Sequence, residues 1–277
     1  MSLRPSQTVV YCAIDSLISI SNKALSGFGE FLEGLEEAEI PCVWVSGRNR
    51  MFLDATIRKF GQSAPFIAEG GCGVYLPEDY FHLKPPKTTR LGRFTCVPAA
   101  KLQPAAKNAL DEMVDDTGAS LVPLRSLRPR ELSQNVGLTQ SEAELLRQRD
   151  FDELFFFAGP TDEEIQNFRR VAAEKNLSLR EDGILWSLAV GRDLKACVRE
   201  LGKLYDRAMR APSLRIAVGT EADAGELFRV CNRAVLLTER ENEEEEGGAK
   251  RAGATRIPLA GAETWERVLE VVGNRGH

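Results

Sequence analysis

Apolar residues in the first third of the chain fall into short unbroken runs separated by stretches of helical period. Residues 9–17, Val-Val-Tyr-Cys-Ala-Ile-Asp-Ser-Leu, read as a buried strand that breaks into a polar turn. Residues 23–39 follow, with Leu25, Phe28, Phe31, Leu32 and Leu35 at helical spacing and Pro41 just beyond. Cys42-Val43-Trp44-Val45 is a second buried strand that ends in Ser46-Gly47-Arg48, and residues 50–60 form the next helix. Pro65-Phe66-Ile67-Ala68 is a third strand. Gly70-Gly71-Cys72-Gly73 then turns the chain, and Val74-Tyr75-Leu76 returns as a hairpin arm. Strand-helix alternation of this kind predicts a parallel sheet with helices on its faces.

The rhythm changes after Lys84-Pro85-Pro86-Lys87, which reads as a linker. Residues 93–189 read as an α+β module. It has a strand at 94–97, a helix at 100–117, a helical stretch at 141–149 and a strand at 153–157. A helix then starts after Thr161, an N-cap with Glu164 three residues on, and strands at 177–180 and 184–188 close the module. The first pattern resumes with a helix at 194–209, a strand at 214–218 and the turn Gly219-Thr220-Glu221. A helix at 223–231, a strand at 234–237 and a helix at 264–272 complete it. The sequence thus predicts an α/β fold whose sheet is interrupted by an inserted second domain. Residues 239–251 carry Glu-Asn-Glu-Glu-Glu-Glu-Gly-Gly, a like-charge run read as an acidic, flexible, solvated loop.

Composition narrows the function classes. With 43% hydrophobic and 28% charged residues over 277 positions, the chain is an ordinary globular protein of one large or two modest domains. A net charge of -5 speaks against a partner held through nucleic-acid phosphates. No apolar run is long enough to span a bilayer and no secretory pattern opens the chain, so no membrane and a cytoplasmic location are expected. The cysteines at 12, 42, 72, 96, 197 and 231 form no CxxC pair, which gives no support to a zinc site or disulfide framework.

Candidate chemistry gathers at strand ends. In an open parallel sheet the C-terminal ends of the strands face the ligand crevice, and Asp15 stands at such an end. It reads as a catalytic acid or as a turn-forming Asx residue. Ser46, Gly47 and Arg48 precede a helix, so they form either an anion site or a tight turn with an exposed arginine. Glu221 and Asp223 are either metal ligands or residues that favour the first turn of a helix. Trp44 and Trp186 belong to apolar strands and read as core.

Several segments in this order carry a resemblance over nearly the whole chain: the first strand and turn, Val45-Ser46-Gly47-Arg48, Pro65-Phe66-Ile67-Ala68-Glu69-Gly70-Gly71, Gly137-Leu138-Thr139, Arg149-Asp150-Phe151-Asp152-Glu153, Gly191-Arg192-Asp193 and Ala217-Val218-Gly219. The chain resembles the mannosyl-3-phosphoglycerate phosphatases of the haloacid-dehalogenase-like superfamily. The resemblance implies a Rossmann-like three-layer core of residues 1–84 and 190–277 and an inserted α+β cap of residues 85–189. It implies phosphomonoester hydrolysis through an aspartyl-phosphate, with magnesium as cofactor and a phosphorylated small molecule as partner.

Matched position by position, the family's Asp-x-Asp-Gly-Thr falls on Ala13-Ile14-Asp15-Ser16-Leu17, so the general acid/base is Asp15 and the nucleophile position is Ala13. The phosphate-gripping hydroxyl falls on Ser46. The family lysine falls on Leu194, with Lys195 as a possible substitute. The metal motif falls on residues 219–224, where Thr220 and Ala224 replace its aspartates and Asp15, Glu221 and Asp223 are the remaining candidate ligands. Arg149, Asp152 and Glu153 match a substrate-side motif of the cap. The expectation is a pseudo-phosphatase that binds a phosphorylated metabolite or a protein partner, with magnesium weak or absent. The alternatives are an active magnesium-dependent phosphatase that uses Asp15, and a non-enzymatic interaction protein.

Overall fold

The central strand is β1 (Thr8–Ala13), all six of whose residues are buried. In the computed structural model, which describes residues 7–20, 25–83, 85–238 and 254–273, every other β1 side chain joins a different layer. Val10 and Cys12 enter one apolar cluster, and Val9, Tyr11 and Ala13 enter the other. A strand buried on both faces reads as a continuous apolar run, which is why the sequence shows one.

After β1 come α1 (Asp15–Ile20), α2 (Phe28–Glu37), β2 (Cys42–Val45), α3 (Arg50–Lys59), β3 (Phe66–Ala68), β4 (Gly73–Leu76), β5 (Thr89–Leu91) and β6 (Phe94–Pro98). The chain continues through α4 (Gln103–Thr117), β7 (Leu121–Pro123), α5 (Pro129–Val136), α6 (Gln140–Arg147), β8 (Glu153–Phe157), α7 (Asp162–Glu174), β9 (Ser178–Asp182) and β10 (Leu185–Ala189). It ends with α8 (Leu194–Met209), β11 (Leu214–Gly219), α9 (Glu221–Val230), β12 (Arg233–Thr238), β13 (Thr255–Pro258) and α10 (Ala262–Gly273).

The strands form two sheets. The larger has the order β13-β12-β11-β1-β2-β3-β4-β6-β5, and the smaller β7-β8-β10-β9. From β13 to β3 the larger sheet is parallel, and from β3 to β5 it is antiparallel. One face packs on α2, α3 and α10 through Phe28, Phe31, Leu53 and Trp265, and the other on α8 and α9 through Leu201, Leu204 and Leu227. Helix, sheet and helix make three layers. The smaller sheet is antiparallel, with α4 and α7 on one face around Phe155 and Phe168 and α5 and α6 on the other around Leu132 and Leu146.

Two features correct the sequence reading. Strand 94–97, assigned above to the inserted module, is β6; it pairs with β4 and, with β5, extends the larger sheet. The proline-rich linker therefore joins two strands of one sheet, and the smaller unit starts near Gln103 rather than at residue 85. Alternating residues announce a strand but not the sheet it joins. The second feature is α5, which the sequence reading lacked, as it lacked β5, β7, β13 and the short α1 where it had a polar turn. Helix α5 begins with Pro129 at its first position and closes on Gly137 in the left-handed conformation. The acidic run at 239–251 lies outside the described residues. No described helix is long and apolar enough to cross a membrane.

Candidate functional site

The crevice opens where β1 and β2 end side by side, with Ala13 in register with Val45. The Ile14 amide donates to the Val45 carbonyl at 3.2 Å, and the chain then turns so that Asp15 begins α1. Its carboxylate accepts hydrogen bonds from the Ser46 hydroxyl and, at 2.6 Å, from the Gly47 amide. Ser46 Oγ in turn accepts from the Arg48 amide at 2.9 Å. The hydroxyl and amide expected to grip an anion are thus turned onto a carboxylate of the chain itself. Arg180, on β9 of the smaller sheet, reaches across to Asp15 with Nη2 at 3.3 Å from Oδ2. The Arg180 guanidinium lies directly over Gly47, where any Cβ would overlap it.

Ala13 and Ala224 stand on either side of Gly219. A Cβ built on that glycine would lie 2.9 Å from each of their methyl carbons. Both alanines are buried in the layer of α8 and α9. Thr220 donates its hydroxyl to Ser16 Oγ at 3.0 Å, and Asp223 accepts from the Ser16 amide. Burial pushes the Asp223 carboxyl upward, against the hydrogen bonds from Ser16.

The inner cavity has a volume of about 280 Å³. Asp15, Ser46, Gly47, Arg180, Arg192, Asp223, Glu226 and Arg229 give it its polar lining. Leu194 lines it as well, but Lys195 is exposed and Glu221 is exposed, and neither belongs to the wall. The start of α8 is fixed by the Asp193 amide on the Gly71 carbonyl at 3.1 Å and by Asp193 capping Ala196 N at 2.7 Å. That leaves no slip by which Lys195 could replace Leu194. Arg180, Arg192 and Arg229 supply positive charge instead.

Arg149, Asp152 and Glu153 are buried rather than displayed on a cap surface. Arg149 donates to Asp152 at 2.6 and 2.9 Å and to the Gly47 carbonyl at 2.9 Å. Arg192 reaches the same Asp152 at 3.0 Å, the Ser187 hydroxyl at 2.7 Å and the Glu69 carbonyl at 3.2 Å. Glu69, which is fully buried, accepts the amides of Asp150, Phe151 and Asp152 at 2.8–2.9 Å. Glu153 turns away to Gln103 at 3.1 Å and Arg125 at 3.1 Å. The motif is therefore a knot that ties the two units together. Burial raises the Glu69 carboxyl to about 8, against the pull of Arg149. Burial also acts on Asp152, but Arg149 and Arg192 outweigh it and hold that carboxyl below its usual range.

Glu69, Asp152 and Cys72 bring their ligand atoms within 4.8 Å of one another. Two guanidiniums already neutralise that trio, and burial pushes the Cys72 thiol up to about 12, so it is an ion-pair centre rather than a cation site. The crevice suits a divalent cation no better. Of its three carboxylates, Asp15 and Asp223 are engaged by Ser46, Gly47 and Ser16 and Glu226 is exposed to solvent, a guanidinium contacts Asp15, and methyl groups fill positions 13 and 224. Magnesium does not fit this set.

The sequence reading lacked the roles of Arg180, Arg192 and Glu69. Arg192 and Glu69 lay inside segments that carried the resemblance, whereas Arg180 sat in an ordinary strand pattern and reaches the site only through the fold. Asp15→Asn should bind inorganic phosphate roughly ten-fold or more tightly than the natural chain, because it removes the like charge that occupies Ser46 and Gly47. Titration calorimetry checks this, and an unchanged affinity would mean that the carboxylate is no competitor.

No protein-family model matches the chain. It is 24% identical over 192 residues to a glucosyl-3-phosphoglycerate/mannosyl-3-phosphoglycerate phosphatase of Methanococcoides burtonii, covering 68% of each chain. It is 20% identical over 209 residues to a protein of the same description from Persephonella marina, covering 74% of this chain and 75% of that one. Among solved structures, a phosphatase of the haloalkanoate (HAD) enzyme superfamily from Bacteroides thetaiotaomicron superposes with a TM-score of 0.63 at 13% identity, over 99% of this chain and 98% of the other. A haloacid dehalogenase-like hydrolase from B. subtilis gives 0.58 at 12% identity, over 97% and 100%. With a Rossmann-like core and a cap, the chain has the haloacid-dehalogenase-like fold, and its sequence is similar to those of two glucosyl-3-phosphoglycerate/mannosyl-3-phosphoglycerate phosphatases.

Proposed function

We propose that this chain binds a phosphorylated small molecule in the inner cavity and does not hydrolyse it through an aspartyl-phosphate. The observation that carries the reading is Ala13, whose methyl group stands at the end of β1 where an attacking carboxylate would be needed. A methyl group has no electron pair to offer phosphorus, and loss of a covalent nucleophile costs several orders of magnitude in rate. Ser46 Oγ, the Gly47 amide and the guanidiniums of Arg180 and Arg192 remain as donors suited to an oxyanion. Asp15 is the group an incoming phosphate displaces from them.

The test is an assay of the purified protein with magnesium on an aryl phosphate and on mannosyl-3-phosphoglycerate, alongside phosphate titration. The expected result is no turnover above background, together with phosphate binding that weakens in Ser46→Ala. Turnover that vanishes in Asp15→Asn would end the reading and point to direct attack by water with Asp15 as base.

A further inference from the structure

A second cavity, of about 230 Å³, lies beyond Arg180 and shares Gly47 and Arg180 with the inner one. Its lining is of two kinds. Arg180 lies over Gly47, and Arg48 follows that glycine in the chain. Much of the remaining lining is aliphatic: Val136 and Leu138 from the end of α5 and its following turn, and Ile184 and Leu185 from the hairpin between β9 and β10. Of the other polar residues in the lining, Arg149 is bound to Asp152 and to the Gly47 carbonyl, the Ser187 hydroxyl accepts from Arg192, and Asp182 at the end of β9 is exposed to solvent.

Ile184 has no folding reason to be apolar. It occupies a two-residue hairpin turn after Gly183, where polar residues and glycine are the usual choice, and it is 63% exposed. Leu138 and Leu185 are only partly buried beside it. The aliphatic part of the wall is a poor match for a polyhydroxylated sugar, whose hydroxyls would lose water against it without gaining partners.

We propose that the outer cavity receives a short apolar group carried by the bound phosphomonoester, so that the ligand class is an alkyl or aryl phosphate rather than a sugar phosphate. The proposal rests on the reading that the crevice binds a phosphorylated molecule. In this arrangement the phosphoryl group meets Gly47 and the Arg180 guanidinium, and the apolar group lies against Leu138, Ile184 and Leu185. A volume of about 230 Å³ limits that group to a few carbons or one ring.

The experiment is calorimetric titration of the full chain with inorganic phosphate, butyl phosphate, phenyl phosphate and glucose 6-phosphate. Burial of one methylene is worth roughly a factor of four in affinity. Butyl and phenyl phosphate should therefore bind at least about ten-fold more tightly than glucose 6-phosphate. In Ile184→Asn, an exposed position, that advantage should shrink while inorganic phosphate binds as before. Equal or tighter binding of glucose 6-phosphate, with inorganic phosphate still bound, would overturn the ligand class and leave the anion site standing. Absence of binding by all four compounds would overturn both readings.

Discussion

Arg149→Met should lower the unfolding free energy by about 3–5 kcal/mol, the cost of leaving a buried charge without its partner. The Arg149 side chain is 3% exposed and touches Asp152, the Gly47 carbonyl and, at 3.9 Å, Glu69. Its removal leaves two buried carboxyl groups facing the single guanidinium of Arg192. The loss should depend on pH, and the sign follows from Glu69. The folded protein holds the Glu69 proton up to about 8, whereas the unfolded chain releases it near 4.5. The contribution of Glu69 to stability is therefore complete below 4.5 and lost as pH rises through 8. Without Arg149 the carboxyl rises further, so the deficit should be smaller at pH 5 than at pH 8. Urea denaturation at both values measures this; equal deficits would show that Glu69 is not the titrating group.

The second large effect concerns metal. The triple substitution Ala13→Asp, Thr220→Asp, Ala224→Asp should create a magnesium site. Positions 13 and 224 both lie against Gly219, where a Cβ would already stand 2.9 Å from each methyl carbon, so the new carboxylates must push their neighbours aside to reach a cation. Without metal the variant should unfold at lower temperature than the natural chain, since two of the three positions are almost wholly buried and the charges would be uncompensated. Magnesium at a hundred times its dissociation constant should then return about 2.7 kcal/mol. Thermal unfolding with and without magnesium gives the answer. The natural chain should show no such shift, and no shift in the variant would mean that the crevice has been rebuilt beyond those three residues.

The parts of this fold that were legible in the sequence are those set by local pattern. The buried runs of β1 and β2 announced the parallel sheet, and the position of Asp15 just past β1 announced the crevice. The alanine at position 13 was readable because motif spacing along one strand is itself local. Three strands of the smaller sheet, β8, β9 and β10, and the Thr161 cap were readable for the same reason, whereas β7 was not. Other features depend on which strand lies beside which. Arg180 meets Asp15 only because β9 hangs over the ends of β1 and β2, and nothing in the alternation of residues 178–182 carries that information. Glu69 was visible only as a position between a strand and a glycine turn, whereas its three amide partners lie some eighty residues further on. The pairing of β6 with β4 was hidden in the same way.

The carboxylate at position 69 also bears on how molecules enter and leave. Residues 149–152 are fastened to the core by that carboxylate, by Arg50 on Asp150 at 2.9 Å and by the Tyr75 hydroxyl on Asp150 at 2.8 Å. For the two lobes to part like jaws, these bonds would have to break together and leave a carboxyl group bare among apolar side chains. Entry to the inner chamber is therefore expected without a parting of the lobes, past the exposed Ala222, Glu226 and Arg229 that line it. Exchange of a bound anion there should be sensitive to ionic strength, which weakens the attraction of the charged groups around it.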